Sequence, residues 1–329
     1  MLTDKPIKTP VLLLVFNRPD ETQRVFDEIR KAKPQKLFVA ADGPREGKPG
    51  EAEKCQAVRD IIGQVDWNCE VNTNFQETNI GLKIAISSAI DWFFEHVDEG
   101  IILEDDCLPS QSFFWFCQEL LEKYRDDARI MQISGSNFLF GRKVTDASYF
   151  FVKLNDIWGW ATWKRAWKYY DVRMKSFPQF KEQGQLKNYV DDPEIREWLM
   201  SYFEQDFNAE EKDGLWSSQW SYAMCIQNGL TIAPSVNLVA QIGFEYVGTH
   251  MDISFQPYAT VGRYEMDEII HPPFILPSSE ADRLRFEVIR KTDPRLLYAK
   301  RIRIKEWVKN CLPIRYHPQL KKLATFLGI

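Results

Sequence analysis

Four short apolar runs in the first third of the chain, "VLLLVF" (11 to 16), "KLFVAAD" (36 to 42), "CEVN" (69 to 72) and "GIIL" (100 to 103), are separated by segments with helical spacing. Pro19 stands at a helix start, with Val25, Phe26 and Ile29 on one face. Val58, Ile61 and Ile62 mark a second helix, and Leu82, Ile86, Ala89, Ile90, Phe93 and Val97 trace a third. This strand-helix-strand order predicts an α/β fold, Rossmann-like and doubly wound, with a mostly parallel sheet, because parallel neighbours are joined by crossovers and helices serve as the crossovers. All such strands point their carboxyl ends to one edge, and ligands bind along it.

The fourth run ends on charge. "GIILEDDCLPS" (100 to 110) places Glu104, Asp105 and Asp106 directly behind a buried strand. Crowded carboxylates repel one another, and a divalent cation with oxygen ligands relieves that repulsion. The plainer reading is that acidic residues merely end a strand at the surface. Two neighbouring strand ends favour the first reading, since "FNRPDET" follows the first strand and "ADGPR" ends the second. Arg18 can pair with a phosphate, Asp42 can accept hydrogen bonds from a base or ribose, and Asp106 can hold a metal on a diphosphate. Neither G-x-G-x-x-G nor a Walker motif is present, which argues against dinucleotide or ATP binding of the familiar kinds.

Composition narrows the remaining classes. At 329 residues with 44% hydrophobic side chains, the chain can bury one large core or two coupled ones. A net charge of -5 gives no reason to expect nucleic acid as a partner. Six cysteines without a C-x-x-C pair and four scattered histidines suggest neither a zinc site nor a disulfide framework, so a reducing, cytoplasmic location is expected. The longest N-terminal apolar run, Val11 to Phe16, is too short for a signal or membrane-spanning segment.

The segments "VFNRP", "ADGPR", "NIGLK" (79 to 83) and "ILEDDCLPSQSFFWFCQELLEKY" resemble the GT-A glycosyltransferases, with E-D-D standing as the D-x-D signature. "DIWGWATWKRAW" (156 to 167), "QWSYAMCIQNGLTIAPSVNLVAQIGF" (219 to 244) and "GTH" (248 to 250) are similar to bacterial nucleotide-diphospho-sugar transferases, and N-acetylglucosaminyltransferase I is a more distant resemblance. Together these pieces cover roughly residues 10 to 255. The resemblance implies transfer of a sugar from a nucleotide-diphosphate donor, UDP-linked being favoured, to a hydroxyl of a glycan or lipid-linked acceptor. It further implies inversion and a place in cell-surface glycan synthesis. Asp106 would bind Mn2+ or Mg2+, while Glu104 and Asp105 would orient the ribose, the sugar or metal-bound water. Arg18 and Asp42 would lie near the nucleotide, and Lys83 would approach the diphosphate or the sugar. His250 matches a C-terminal metal or phosphate ligand, its other reading being a polar loop histidine. Residues 1 to 108 would form the nucleotide-sugar half of the domain, 109 to 260 the acceptor half, and 261 to 329 a linker and arm.

Trp158, Trp160, Trp163 and Trp167 fall within ten positions. Aromatic faces stack on sugar rings, so Trp158 or Trp160, beside Gly159, is expected to line the sugar site, with Trp163 and Trp167 left to packing. An inverting transfer needs a carboxylate to take the acceptor's proton. The bacterial relatives read W-D-x-Q-W where this chain has "WSSQW" (216 to 220), so Ser217 stands at the expected carboxylate, and serine alone is too weak a base. Asp213 is the candidate base, sharing a face with position 217 if the segment is helical, although Gly214 argues against that. Asp156 and Glu245 are the alternates. Ser217 also keeps open a GT-A-like binding module without transfer. A sugar-phosphate nucleotidyltransferase shares the fold class but normally opens with a Gly-rich basic loop, which this sequence lacks, and "EDDCLPS" does not supply the D-x-D-x-[TV] of haloacid-dehalogenase-like phosphatases.

Beyond a proline-rich tract near residue 272 the chain becomes strongly basic from Arg295. Residues 295 to 329 fit either a peripheral foot on the anionic inner face of a membrane or a helical arm packed on the domain or a second subunit.

Overall fold

The computed structural model describes residues 6–209, 214–243, 256–293 and 296. Its first half alternates strictly: β1 (Val11–Val15), α1 (Pro19–Ala32), β2 (Lys36–Ala41), α2 (Glu51–Ile61), β3 (Glu70–Phe75), α3 (Leu82–His96) and β4 (Glu99–Glu104). Then follow β5 (Cys107–Pro109), α4 (Gln111–Lys123), β6 (Ile130–Ser134), β7 (Tyr149–Val152), β8 (Trp160–Trp163), α5 (Lys164–Trp167), α6 (Phe177–Glu182), α7 (Pro193–Asn208), α8 (Ser217–Ile226), β9 (Leu230–Pro234), β10 (Val239–Gln241), α9 (Gln256–Ala259) and α10 (Ser279–Thr292).

Among the described residues, eight strands form one mixed sheet in the order β3-β2-β1-β4-β8-β6-β9-β7, while β5 and β10 make a separate antiparallel pair. Only β7 and β8 run against the others. The fold is therefore α/β with a mostly parallel sheet, as the strand-helix alternation predicts. β1 is buried along its whole length, and its two-residue period divides it between two cores. Val11, Leu13 and Val15 pack with Val25, Phe26 and Ile29 of α1, whereas Leu12 and Leu14 pack with Ile86, Ile90 and Phe93 of α3. Each such side chain contributes about 1.5–3 kcal/mol of burial, so a register slip here would exchange both layers at once.

β3 extends beyond the expected four residues, to Phe75, and its positions are half-buried or exposed because it is the sheet's edge. The sheet also crosses residue 108, the expected boundary between two halves of the domain, through the β4–β8 ladder. The tract after residue 260, expected as a linker and arm, begins instead as part of the domain wall. Ser278 donates its backbone N–H to the Phe151 carbonyl at 2.8 Å, and Phe286 and Ile289 of α10 are buried in a core shared with α7 and α8. The basic residues from Arg295 onward lie outside the described residues, as do Asp213, Glu245 and His250. Among the described residues no helix is long and apolar enough to cross a membrane, and Cys55, Cys69, Cys107, Cys117 and Cys225 are all free thiols.

Candidate active site

The carboxyl ends of β1, β2, β3 and β4 converge on a cleft of about 750 Å³. Arg18 and Asn17 follow β1, Asp42 and Arg45 follow β2, Gln76 follows β3, and Glu104, Asp105 and Asp106 end β4. Parallel pairing is what gathers these distant segments, because Leu14 pairs with both Ala40 and Glu104 across neighbouring strands.

The three acids are not equivalent. Asp106 accepts from Arg18 Nη1 at 2.6 Å through Oδ2 and from Gln241 Nε2 at 3.0 Å through Oδ1. Asp105 is buried at 7% exposure, accepts from the Phe16 backbone N–H at 3.3 Å and lies 3.7 Å from Arg18. Burial pushes its carboxyl up to about 7, with the Asp106 charge adding to the rise and Arg18 opposing it. Glu104 is driven well above the usual carboxylate range, first by burial and then by the charges of Asp106 and Asp105. Its Oε1 is buried without a hydrogen-bond partner. Such an orphan acceptor on a residue that lines a cleft suits a donor brought by a ligand.

The donor set fits a cation shared with phosphates better than a protein cage. Among the described residues no group of three or more His, Cys, Asp or Glu side chains could hold a metal ion. Mg2+-type ions are commonly bound by one or two carboxylates plus substrate phosphates, and Asp106 with Asp105 supplies that number. Gly243 has a part in this, since a Cβ there would lie 2.5 Å from Asp106 Oδ2.

Asp42 is already a hub. It accepts from the backbone N–H groups of Gly43 at 2.8 Å and Ile80 at 3.0 Å, and from Asn79 Nδ2 at 2.8 Å, which pins the 79–80 loop over the end of β2. Ionised carboxylates offer about four acceptor positions, so one position remains for a ligand donor. Beside Arg45, Glu51 accepts from Asn17 Nδ2 at 2.9 Å and from the Arg45 backbone N–H at 2.7 Å, and it pairs with the Arg45 guanidinium. These bonds, that of Arg45 first, lower Glu51 to about 2.

The remaining candidates lie elsewhere. Lys83 is 3% exposed and outside the cleft lining. With the Gln219 amide oriented to satisfy its neighbours, Lys83 Nζ donates to its oxygen at 2.9 Å, between α3 and α8. Trp160 is 1% exposed, stacked on Trp216 at 5.8 Å, and its indole N–H is buried without an acceptor. Its side chain belongs to the core and not to a sugar wall. Trp158 is half-buried and packs edge-on against Phe138 and Tyr258 in a second cavity. Asp156 is tied to Arg285 at 2.5 Å in that same cavity, away from the acid cluster. Ser217 begins α8, and its Oγ lies 3.0 Å from the Tyr202 hydroxyl. The chain from Gly214 to Trp216 is not helical, with the Leu215 N–H donating to Asp206 at 3.0 Å, and Asp213 lies outside the described residues.

Gln241 and Asn79 are site residues that the sequence reading did not single out. Asn79 stands inside the quoted "NIGLK" and its amide was the available signal. Gln241 reaches Asp106 across 135 positions through the β5–β10 pair, and no local pattern announces it.

No family model and no curated protein matches the chain. Among solved structures, apo UDP-glucose pyrophosphorylase is similar at 9% identity over 70% of this chain and 90% of its own, with a TM-score of 0.34. Mouse xyloside xylosyltransferase 1 is similar at 10% identity over 66% and 81%, with a TM-score of 0.32. HddC from Yersinia pseudotuberculosis is similar at 10% identity over 48% and 77%, with a TM-score of 0.29. At those scores the likeness decides nothing about the chemistry of this chain, which rests on its own residues.

Proposed function

We propose that the protein is a metal-dependent GT-A glycosyltransferase that moves a sugar from a nucleotide-diphosphate donor, UDP-linked by preference, to a hydroxyl of a glycan or lipid-linked acceptor. The observation that carries this reading is the Asp105–Asp106 pair just after β4, in contact with Arg18 in a cleft that Asp42 and Asn79 also line. Asp42 and Asn79 offer an acceptor and an amide to a base or ribose. Arg18 is 46% exposed on a flexible stem and can turn from the acids to a diphosphate. Asp106, with Asp105 beside it, would hold Mn2+ or Mg2+. Such an ion, when bound, supplies positive charge against the leaving diphosphate. Glu104, with its unpartnered oxygen, suits a hydroxyl of the donor sugar or ribose.

The acceptor's proton needs a base. Asp156 is neutralised by Arg285, which leaves Asp213 and Glu245 as candidates, both outside the described residues. Ser217, paired with Tyr202 where relatives carry an acid, favours a second reading, a nucleotide-sugar-binding module with little or no transfer.

A thermal-shift panel of UDP-, GDP-, CMP- and dTDP-sugars, with and without Mn2+, tests the first reading, since a ligand of the native state raises its melting temperature. UDP-sugars should shift it most, and only fully with Mn2+. Nucleotide release in the presence of an acceptor then separates enzyme from module. No shift with any nucleotide would remove both readings.

A further inference from the structure

α10 delivers the chain to the rim of the second cavity. The helix ends at Thr292 because Pro294 follows, and the residue before a proline is held out of helical geometry, as Asp293 is at φ -72 and ψ 116. Thr292 and Asp293 both line this space of about 470 Å³ between α7 and the 153–158 loop. Asp293 accepts from Trp198 Nε1 at 2.8 Å, Arg290 pairs with Glu194 at 3.2 Å, and Leu296 packs on the core that holds Ile195 and Leu199. Residues 297–329 therefore start beside α7.

That surface favours positive charge. From Asp191 to Asp206 the sequence carries six carboxylates and one cation, Arg196, whose guanidinium donates to the Val190 and Asp191 carbonyls at 2.9 and 2.7 Å. Glu194 stands one turn before Trp198 on the same face, with Glu197 beside it. Trp198 and Tyr202 stack at 5.6 Å with planes 5° apart, and both rings line the cavity. The described lining carries Asp156, Asp206 and Asp293 against two cations. Of these, Arg285 is paired with Asp156 at 2.5 Å, and Lys153 donates to the Tyr189 carbonyl. A surplus of carboxylates beside aromatic faces suits an ammonium or guanidinium, which is attracted by the acids and by the ring quadrupole together.

The sequence that starts there has the opposite sign. Residues 297–310, "LYAKRIRIKEWVKN", carry five cations and one acid, with Ile302, Ile304 and Trp307 among them. A stretch of that length spans about 21 Å as a helix and more if extended, against about 24 Å for the 16 residues of α7. It can follow α7 across the cavity without a second molecule.

We propose that this face of the domain docks the protein's own C-terminal segment, with residues 297–310 lying along α7 and a lysine or arginine of that stretch seated against the Trp198–Tyr202 pair and the cavity's carboxylates. The place where α10 releases the chain, the charge of α7 and the charge of the segment all select this occupant. The basic tract is then an arm packed on its own domain and not a foot on a membrane. No residue of the acid cleft takes part, so the inference stands apart from the transferase reading.

The test uses the full chain, mixed from unlabelled and isotope-labelled protein, and a zero-length carbodiimide that joins lysine amines to carboxylates in contact. Lys300, Lys305 or Lys309 should be joined to Glu194, Glu197, Asp206 or Asp293 within one isotopic form. Amides of residues 297–310 should exchange with deuterium about tenfold or more slowly than in a free peptide of the same sequence. Arg301→Glu, Arg303→Glu and Lys305→Glu together, or Glu194→Lys with Glu197→Lys, should each remove most of that protection, because like charges then face each other. Combining the two sets should restore it, which a merely destabilised domain would not do. The proposal is overturned if no such link forms, if neither reversal changes the protection, or if the combined reversal restores none of it. Links that join labelled to unlabelled chains would overturn it in favour of a second copy as the occupant. Protection that appears only with phosphatidylserine vesicles would overturn it in favour of a membrane foot.

Discussion

Arg18 Nη1 lies 2.6 Å from Asp106 Oδ2 and 3.7 Å from Asp105 Oδ1, so the free protein already holds a positive charge against the acids that would bind a cation. The guanidinium and a divalent ion should therefore compete. In Arg18→Gln, calorimetry should show Mn2+ alone binding about fivefold or more tightly than in the parent, while UDP binding weakens because a phosphate partner is gone. Unchanged Mn2+ affinity would mean that the pair does not guard the site.

Asp106→Asn keeps the shape of the side chain and removes its charge. The extra thermal shift that Mn2+ gives to a UDP-sugar should disappear, with little change in the melting temperature of the free protein. Metal-enhanced UDP binding at parental strength would sink the reading of Asp106 as the ligand.

Asp105 carries a pH signature. Its carboxyl rises from 3.8 to about 7 on folding, with burial the largest cause. Between those values the folded state holds the proton that the unfolded state has lost, so stability from this group falls as pH rises from about 4 to about 7. Asp105→Asn should remove that fall and stabilise the metal-free protein above pH 7 by an amount on the order of a few kcal/mol. Urea melts at pH 5 and pH 8 measure it, and a variant no more stable than the parent at pH 8 would refute the shift.

Trp160→Ala should cost about 3–5 kcal/mol in urea unfolding, the usual range for deleting a buried indole, because the ring is packed among Trp167, Trp216 and Trp220. The ratio of UDP affinity to that of the parent, measured in the folded fraction, should stay near one. A large loss of nucleotide or saccharide affinity without destabilisation would return Trp160 to the site.

Ser217→Asp puts a carboxylate at the start of α8, beside the Tyr202 hydroxyl. Transfer from a UDP-sugar should rise about tenfold or more if position 217 faces the acceptor's hydroxyl, with donor affinity little changed. An unchanged rate would assign the base to Asp213 or Glu245, to be separated by Asp→Asn and Glu→Gln substitution.

The α/β class and the edge that carries the site were legible because each is a local matter. Buried parallel strands read as short apolar runs, helices carry their own period, and strand ends in a parallel sheet point one way. Arg18, Asp42 and the three acids could therefore be placed on one edge from "FNRPDET", "ADGPR" and "GIILEDDCLPS" alone. What a side chain does at that edge is set by neighbours far along the chain, and there the reading was weaker. Lys83 reads as a helix-start cation facing a ligand, yet α8 arrives more than 130 positions later and covers it with Gln219. Trp158 and Trp160 flank one glycine and look alike, but Gly159, at φ +66, breaks the extended backbone between them, so β8 buries the ring of Trp160 against α8 while Trp158 stays on the loop before the strand. The sequence by itself determined the order of elements and the chemistry at their ends. Tertiary structure decided which of those groups meet, because the Arg18–Asp106, Gln241–Asp106 and Arg285–Asp156 contacts join positions 88, 135 and 129 apart, and contacts at that separation depend on how whole layers pack, which no local pattern encodes.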